Sequence, residues 1–443
     1  MAAVETRLTL EGKRCASTLG LADVGFGRTN GKARCEPRDS GALPRHQEQG
    51  LRKPLPPEKA QRDGNMHSEK RFKTITRRDF LRLGGAGLAG ATLLGTTGGR
   101  VLAQTKTSLE AQFETAARKY KVPVELLLAM GYYNTLWEMP PPSASAYRKG
   151  DPAGRGDYGI MQLTQNPSRN TLGEAAKLTA LSKARLKNDR SANIEGGAAL
   201  LSNLVGKTKP KRLDGWQEAL TQYAETDLYA SQVYGVLRDG ASTTISTGER
   251  LKLSPQDVEV PQVYTAKSGT ADYPQAVWRP ADLCNYTKSS RETSCYINKI
   301  VIHVAEGSYS GTISWLENCA AGASAHYVVS REGGMAQCVR DEDIAWHAGW
   351  WDTNTHSIGI EHAGFIDNPE WFTQKMYHTS ARLSAWCCKK YEIPIDRKHI
   401  IGHDEVPGCS SGSGGGVDCH TDPGPYWNWK EYMLLILYYW IRL

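Results

Sequence analysis

Two histidines and an aspartate at opposite ends of one small-residue loop constrain this chain more than any other feature. The stretch Ile401–Trp429 reads IGHDEVPGCSSGSGGGVDCHTDPGPYWNW. It holds His403, a loop bounded by glycine and cysteine, then His420 and Asp422. An imidazole and a carboxylate projected from the two ends of a loop can share a metal ion, but they need a third donor from elsewhere. His303, ending the apolar run Lys299-Ile-Val-Ile-His303, is the natural one. Zinc takes imidazole nitrogens and carboxylate oxygens tetrahedrally, and a catalytic zinc keeps its fourth position open for water. The pattern therefore points to a hydrolytic zinc centre.

The histidines are unevenly spread. Of 11, nine fall between His303 and His420 and none between residues 104 and 302. At 443 residues the chain is too long for one ordinary core, so two or three domains are expected. The formal charge of +7 is also uneven. The first 103 residues carry 19 Lys+Arg against 10 Asp+Glu, and the remainder carries 35 against 37. No basic stripe remains to neutralise phosphates, which excludes nucleic acid as an expected partner.

Residues 1–65 lack apolar periodicity and are expected to be a disordered extension. After Met66 the pattern changes, and from Lys70 the chain reads KRFKTITRRDFLRLGGAGLAGATLLG, where Arg77-Arg78 before Phe80-Leu81 resembles a twin-arginine export signal. Val101-Leu102-Ala103 suits a signal peptidase, so 66–103 is expected to be a signal peptide and the mature chain to be secreted or to work in the cell wall or periplasm. No later stretch is long enough to span a bilayer. Met433–Trp440 is apolar but short, and is expected to be the buried face of a closing helix.

Residues 104–240 show helical spacing without strand alternation. Thr107-Ser-Leu-Glu110 is a capping-box pattern, followed by Leu109, Phe113, Ala116, Ala117 and Tyr120 on one face. Pro123 opens a second helix, and further helices are expected at 192–204, 216–224 and 227–237. The order Ala-Ala-x-x-Tyr-x-Val-Pro, Tyr158-Gly-Ile-Met-Gln-Leu163 and Asn193-Ile-x-Gly-Gly-Ala-Ala-Leu200 resembles the lysozyme-like fold of lytic transglycosylases. That family carries its catalytic glutamate where this chain has Asn134, and an amide cannot deliver the proton a departing glycosidic oxygen needs. Glu138 lies one helical turn on, about 6 Å away and too far to substitute. The resemblance implies a glycan-binding cleft without its chemistry, or a helical spacer. Residues 241–272, rich in Ser, Thr, Gly, Pro and charge, are expected to be a linker.

From 273 to 443 strands and helices interleave, which predicts an α/β domain around a mixed sheet. Strands are expected at 296–305 and 357–363, a hairpin across Arg331-Glu-Gly-Gly334, and helices at 312–317, 370–391 and 429–440. His303, His326 in SAHYVVSREGG, His347 in DEDIAWHAG, Glu361 in SIGIEHAGF, His403 in GHDEVPG, and His420 with Asp422 in HTDPGP occur in an order that closely resembles the zinc-dependent type 2 N-acetylmuramoyl-L-alanine amidases, relatives of the peptidoglycan recognition proteins. The resemblance implies Zn2+ on His303, His403 and Asp422, Glu361 as general base, and His420 stabilising the oxyanion. Trp346 and His347 are expected on the substrate groove. The implied partner is peptidoglycan, both glycan strands and stem peptides, and the implied reaction is hydrolysis of the amide between N-acetylmuramic acid and L-alanine. The alternatives are a non-catalytic peptidoglycan-binding protein and a bifunctional amidase and transglycosylase.

Eight of the ten cysteines follow Gln104, and an even set in an exported domain suggests disulfides. Cys409–Cys419 would bracket the loop between His403 and Asp422, and Cys284–Cys295 would close the approach to the first strand. The expected architecture is an α/β mixed-sheet zinc amidase domain preceded by an all-α lysozyme-like domain.

Overall fold

The computed structural model describes residues 108–263, 269–291, 296–407 and 420–443. The extension, the export signal, Cys295 and the Cys409–Cys419 pairing lie outside these residues.

The N-terminal part is built from helices α1 (Leu109–Tyr120), α2 (Val124–Thr135), α3 (Thr171–Thr179), α4 (Lys183–Asn188), α5 (Arg190–Val205), α6 (Gln217–Ala224) and α7 (Asp227–Asp239). Each expected helix is present. The first cap sits one residue later than the capping-box pattern suggested: Ser108 accepts from the Ala111 amide, so Glu110 falls a residue short of the reciprocal position. Leu109, Phe113 and Ala116 then pack on α2 and α5, where Leu126, Met130, Ile194 and Leu201 are sealed from solvent.

Two small antiparallel ladders qualify the all-α expectation. β1 (Asp157–Tyr158) pairs with β2 (Leu163–Thr164), and β3 (Ala241–Thr244) pairs with β4 (Arg250–Leu253). The second hairpin corrects the linker expectation for 241–272. Leu251 and Leu253 alternate inward along β4 and join Ile245 in the helical core, with Val258 and Val260 packed against it. Composition hid this because only every second residue of a four-residue strand is apolar.

The C-terminal part is a mixed sheet. Its strands are β5 (Val277–Trp278), β7 (Lys299–Val304), β8 (Tyr327–Val329), β9 (Met335–Gln337), β11 (Ser357–His362) and β12 (Ile400–Gly402), in spatial order β12-β7-β11-β8-β9-β5; β6 (Tyr286–Thr287) and β10 (Ile344–Ala345) pair separately. Strands β12, β7, β11 and β8 run parallel, and β8 with β9 forms the hairpin expected across the Gly-Gly turn. Helices α8 (Tyr309–Leu316), α9 (Trp351–His356), α10 (Gln374–Lys390) and α11 (Trp429–Trp440) complete the part.

Alternation along β7 and β11 sorts the residues. Ile300, Ile302, Ile358 and Ile360 face α10 and its Met376, Tyr377 and Leu383. Val301 faces the other way, with Ala348, Ile401 and Val406. His303 shares the parity of Val301, and its register partner on β11 is Glu361. His403 follows directly on Gly402, which pairs with Ile302. Three site residues thus sit at the carboxyl ends of three adjacent parallel strands, where open α/β sheets bind their ligands.

Two further expectations are corrected. Cys284 is bonded to Cys319 and not to Cys295, because the turn after β5 packs on the turn after α8, where Asn285 Nδ2 donates to the Leu316 and Asn318 carbonyls. The last helix buries only Tyr432 and Ile436; Leu434, Leu437 and Tyr438 are exposed. Among the described residues no helix is long and apolar enough to cross a membrane.

The two parts form one compact unit from Ser108 to Leu443. Arg155, buried at 2% exposure, is the principal tie. Its Nη1 donates to the Ala305 carbonyl at 2.5 Å, its Nη2 to the Glu306 carbonyl at 2.6 Å, and its Nε pairs with Asp157. The Tyr133 hydroxyl donates to Ser310 Oγ and accepts from the Ser310 amide, and Leu136 packs with Phe365 and Trp371.

Candidate metal centre and active site

His303 stands at the end of β7 at 1% exposure, with its Nδ1 3.3 Å from Asp422 Oδ2. His403, at 3% exposure, places its Nδ1 3.2 Å from Asp422 Oδ1. These three residues form a cluster able to hold a metal ion. Around zinc with bonds of roughly 2.0–2.1 Å, the donor-to-donor edge of a tetrahedron is about 3.3–3.4 Å. The two separations, one to each carboxylate oxygen, are close to that edge.

A chain of hydrogen bonds fixes where the protons sit. Ser357 Oγ donates to the Thr353 carbonyl, so it accepts from His347 Nε2 at 3.1 Å. His347 Nδ1 therefore carries a lone pair and accepts from His303 Nε2 at 3.0 Å. His303 Nδ1 is left bare, facing a carboxylate oxygen. Two acceptors at 3.3 Å with no proton between them make a place for a cation. Burial, then the neighbouring His403, hold the His303 imidazole down to about 4, which keeps it in the neutral form a ligand needs. Burial pushes the Asp422 carboxyl up, but His403 and His303 more than offset it and hold it well below the usual range. The His403 Nε2 has no partner among the described residues.

Glu361 sits across from His303 at 2% exposure. Its Oε2 has no partner among the described residues. Burial, with Asp422 and Asp151 next, raises its carboxyl well above the usual range. The His420 ring stacks on His403 at 3.6 Å and 18°, with its Nδ1 3.8 Å from Asp422 Oδ1. Burial and then His403 lower it to about 4, so it is neutral at pH 7.

The five expected metal and catalytic residues therefore meet, while the two expected groove residues do not. His347 is 1% exposed and lies behind His303, the reverse of a groove position. Trp346 points elsewhere on β10's extension, its indole Nε1 donating to Thr287 Oγ1 at 3.0 Å. His326 is also buried, its Nδ1 accepting from the Gly359 amide and its Nε2 beside Arg291.

The front of the site carries residues that nothing in the sequence singled out. A cavity of about 320 Å³ is lined by Glu361, His403, His420 and Asp422 on one side and by Arg148 and Asp151 of the helical part on the other. Arg148 Nη2 pairs with Asp151 Oδ2 at 2.8 Å. Two lone charges in a Pro- and Gly-containing loop give no periodicity or motif to read. Asn134 lies apart from this centre. It is buried, its Nδ2 donates to the Ile160 carbonyl, and its Oδ1 lies near the Tyr229 hydroxyl without closing a well-formed hydrogen bond. The cavity beside it measures only about 70 Å³ and is walled by Ser308, Gly311 and Trp315 of the sheet-bearing part.

Residues 293–425 match the N-acetylmuramoyl-L-alanine amidase family. N-acetylmuramoyl-L-alanine amidase A of Achromobacter lyticus is 34% identical over 175 residues, 37% of this chain and 95% of that protein. The 1,6-anhydro-N-acetylmuramyl-L-alanine amidase AmpD of Haemophilus influenzae is 31% identical over 116 residues, 25% of this chain and 56% of that protein. The crystal structure of a selenomethionine AmpD derivative aligns with 37% of this chain and 94% of its own at 22% identity and a TM-score of 0.28. With nearly the whole of one amidase matched at that identity, the chain belongs to the N-acetylmuramoyl-L-alanine amidase family.

Proposed function

We propose that the protein is a zinc-dependent hydrolase of the amide joining the lactyl group of N-acetylmuramic acid to L-alanine in peptidoglycan. The observation that carries this is the bare His303 Nδ1 3.3 Å from Asp422 Oδ2 and the His403 Nδ1 3.2 Å from Asp422 Oδ1, with the three donors close enough to share one ion. His303, His403 and Asp422 would hold the ion. Zinc held there would supply Lewis acidity at neutral pH. Glu361 takes a proton from the attacking water and delivers it to the departing amine of L-alanine. His420, held in place by its stack on His403, donates a hydrogen bond to the carbonyl oxygen as negative charge builds there. Water adds to the carbonyl carbon, the C–N bond breaks, and a lactyl carboxylate and a free amine result.

For residues 104–240 the lysozyme-like reading stands as part of the proposal, with Asn134 in place of an acid. The 66–103 segment serves as a twin-arginine signal for export to where peptidoglycan lies. The test is a mass-spectrometric digest of purified peptidoglycan by the chain from Gln104, with chelator, with zinc restored, and with Glu361→Gln. Stem peptides freed from glycan strands are expected, lost on chelation, recovered with zinc, and reduced about 10²- to 10⁴-fold by the substitution. Anhydromuramyl products that survive chelation would refute the reading of the helical part. No products at all would place the protein among non-catalytic binders.

A further inference from the structure

Helix α11 leaves an apolar face that nothing among the described residues covers. Its other side is tied to α10: the Tyr432 hydroxyl meets Ser380 and Ser384 Oγ, and the Tyr439 hydroxyl meets His378 Nδ1 at 2.7 Å. On the outer side Leu434, Leu437, Tyr438 and Ile441 are 59, 44, 46 and 66% exposed. Ile441, the C-cap, keeps helical dihedrals, so the stripe is continuous. The four stand at i, i+3, i+4 and i+7, the spacing by which a helix lays an apolar edge on a partner. α11 supplies no residue to the catalytic cavity, and none to the seam where Arg155 ties the two parts together.

The face fits a second copy of the chain in area, symmetry and charge. With Trp440 and Leu443 beside the stripe it exposes on the order of 600 Å², the upper end of what monomers leave bare. Two such faces together bury about 1,200 Å², which reaches the lower end of stable interfaces. The stripe also reads the same from either end. A two-fold axis between Leu437 and Tyr438 sets Leu434 against Ile441 and Leu437 against Tyr438, as a self-complementary contact requires. A groove of about 430 Å³ runs beside Leu434, Leu435 and Tyr438, at the level where that axis delivers Ile441 of the second copy.

Charge follows the same axis. Glu431 and Arg442 are 11 residues apart, close to three whole turns, so they flank the stripe on one side near its two ends. Antiparallel pairing keeps each on that side and exchanges the ends. At 1.5 Å per residue, Glu431 of one copy then comes level with Arg442 of the other to within about 3 Å. Both are held in place. Gln374 and Asn428 donate to the Glu431 oxygens, and the Arg442 guanidinium lies 3.5 Å over the Tyr438 ring. An acid at the rim favours a protein partner over an anionic lipid surface.

We propose that this face is a self-association site, at which two copies of the chain pair through antiparallel α11 helices with Glu431 of each facing Arg442 of the other. Pairing does not depend on the amidase reading. Both catalytic cavities stay open, so on a polymer the second centre of a pair works at raised effective concentration.

The test is sedimentation equilibrium of the chain from Gln104 over roughly 1–100 μM, the range of weak association for an interface of this size. A monomer–dimer equilibrium without larger species is expected, since a two-fold contact closes on itself. Leu437→Glu, at the centre of the stripe, is expected to raise the dissociation constant about 100-fold. Glu431→Arg and Arg442→Glu are each expected to raise it about tenfold, and the two together to bring it back to within about threefold of the parent. These positions are exposed or half-buried, and the thermal midpoint of each variant is read alongside to show that it is folded. Rescue by the exchanged pair is something a merely weakened helix would not show. A monomer at every concentration, open-ended assembly, a dimer indifferent to Leu437→Glu, or an exchanged pair that fails to rescue would each overturn the proposal. A monomer that instead floats with vesicles of phosphatidylethanolamine and phosphatidylglycerol would overturn it too, and give the face to a lipid surface.

Discussion

Ser357 touches no substrate and no metal donor, yet it decides which nitrogen of His303 is bare. Its hydroxyl is committed to the Thr353 carbonyl as donor and to His347 as acceptor. Ser357→Ala removes the acceptor and leaves the His347 Nε2 proton buried without a partner. His347 then relieves itself by shifting that proton to Nδ1, where it meets the proton of His303. Zinc affinity is expected to fall about 10- to 100-fold, read by competition with a chelating dye. Stability is expected to fall by about 1–3 kcal/mol. Unchanged zinc affinity in a folded Ser357→Ala protein would show that His303 is set by something other than this relay. At the same scale, the grouping of His303, His403 and Asp422 was legible because their chemistry shows in residue type. The place of His347 was not, since a histidine beside a two-residue strand carries no mark of which side it faces.

Among the elements, β7 and β11 were also legible. Their apolar runs ending in His303 and Glu361 read as strands of a mixed sheet without any partner being known, and the structure pairs them in parallel. β12 was missed because three residues are too few to establish a period. The Cys284–Cys319 pairing was missed because the approach of two turns is a tertiary fact, invisible in spacing. The element with the most consequence left no signal at all: the loop from Met139 to Arg155, clasped by the Gly150 amide donating to the Ala321 carbonyl and by one buried guanidinium. Gly307 makes room for it, since a Cβ there would stand 1.6 Å from Arg155 Nη2. Arg155→Ala leaves the Ala305 and Glu306 carbonyls unpaired and Asp157 without its cation. A loss of about 3–5 kcal/mol is expected from urea unfolding, with kcat/KM lowered because Glu306 and the loop no longer hold the groove. Gly307→Ala is expected to act in the same direction. A stability within about 0.5 kcal/mol of the parent in both variants would show that the clasp is dispensable.

The molecule as a whole stores protons unevenly. His303 and His420 are held to about 4, His362 to about 3, and His326 and His347 well below the ordinary value, in each case first by burial. Unfolding frees these five to titrate near 6.5. Their folded values are depressed, so their contribution is intact above pH 6.5 and is lost as pH falls toward 4. Glu306, raised to about 7 by burial, and Glu361, raised further, act in the opposite sense, because the folded chain keeps protons that the unfolded chain sheds. Five against two leaves a net uptake of about three protons on unfolding near pH 5.5. The metal-free protein is expected to lose several degrees of thermal midpoint between pH 7 and pH 5.5. A midpoint that is flat or rises over that range would contradict the burial of these imidazoles in solution.

The seam also bears on descent. A catalytic module joined to its neighbour by a flexible tether can be cut out by recombination and reattached elsewhere, and both halves survive. Here one arginine of the helical part holds the backbone two and three residues after His303, and a glycine of the sheet-bearing part is kept small to admit it. Neither half can be exchanged for a stranger's without a hole on one side and a collision on the other. Within this chain, a change on one side of the seam therefore calls for a matching change on the other.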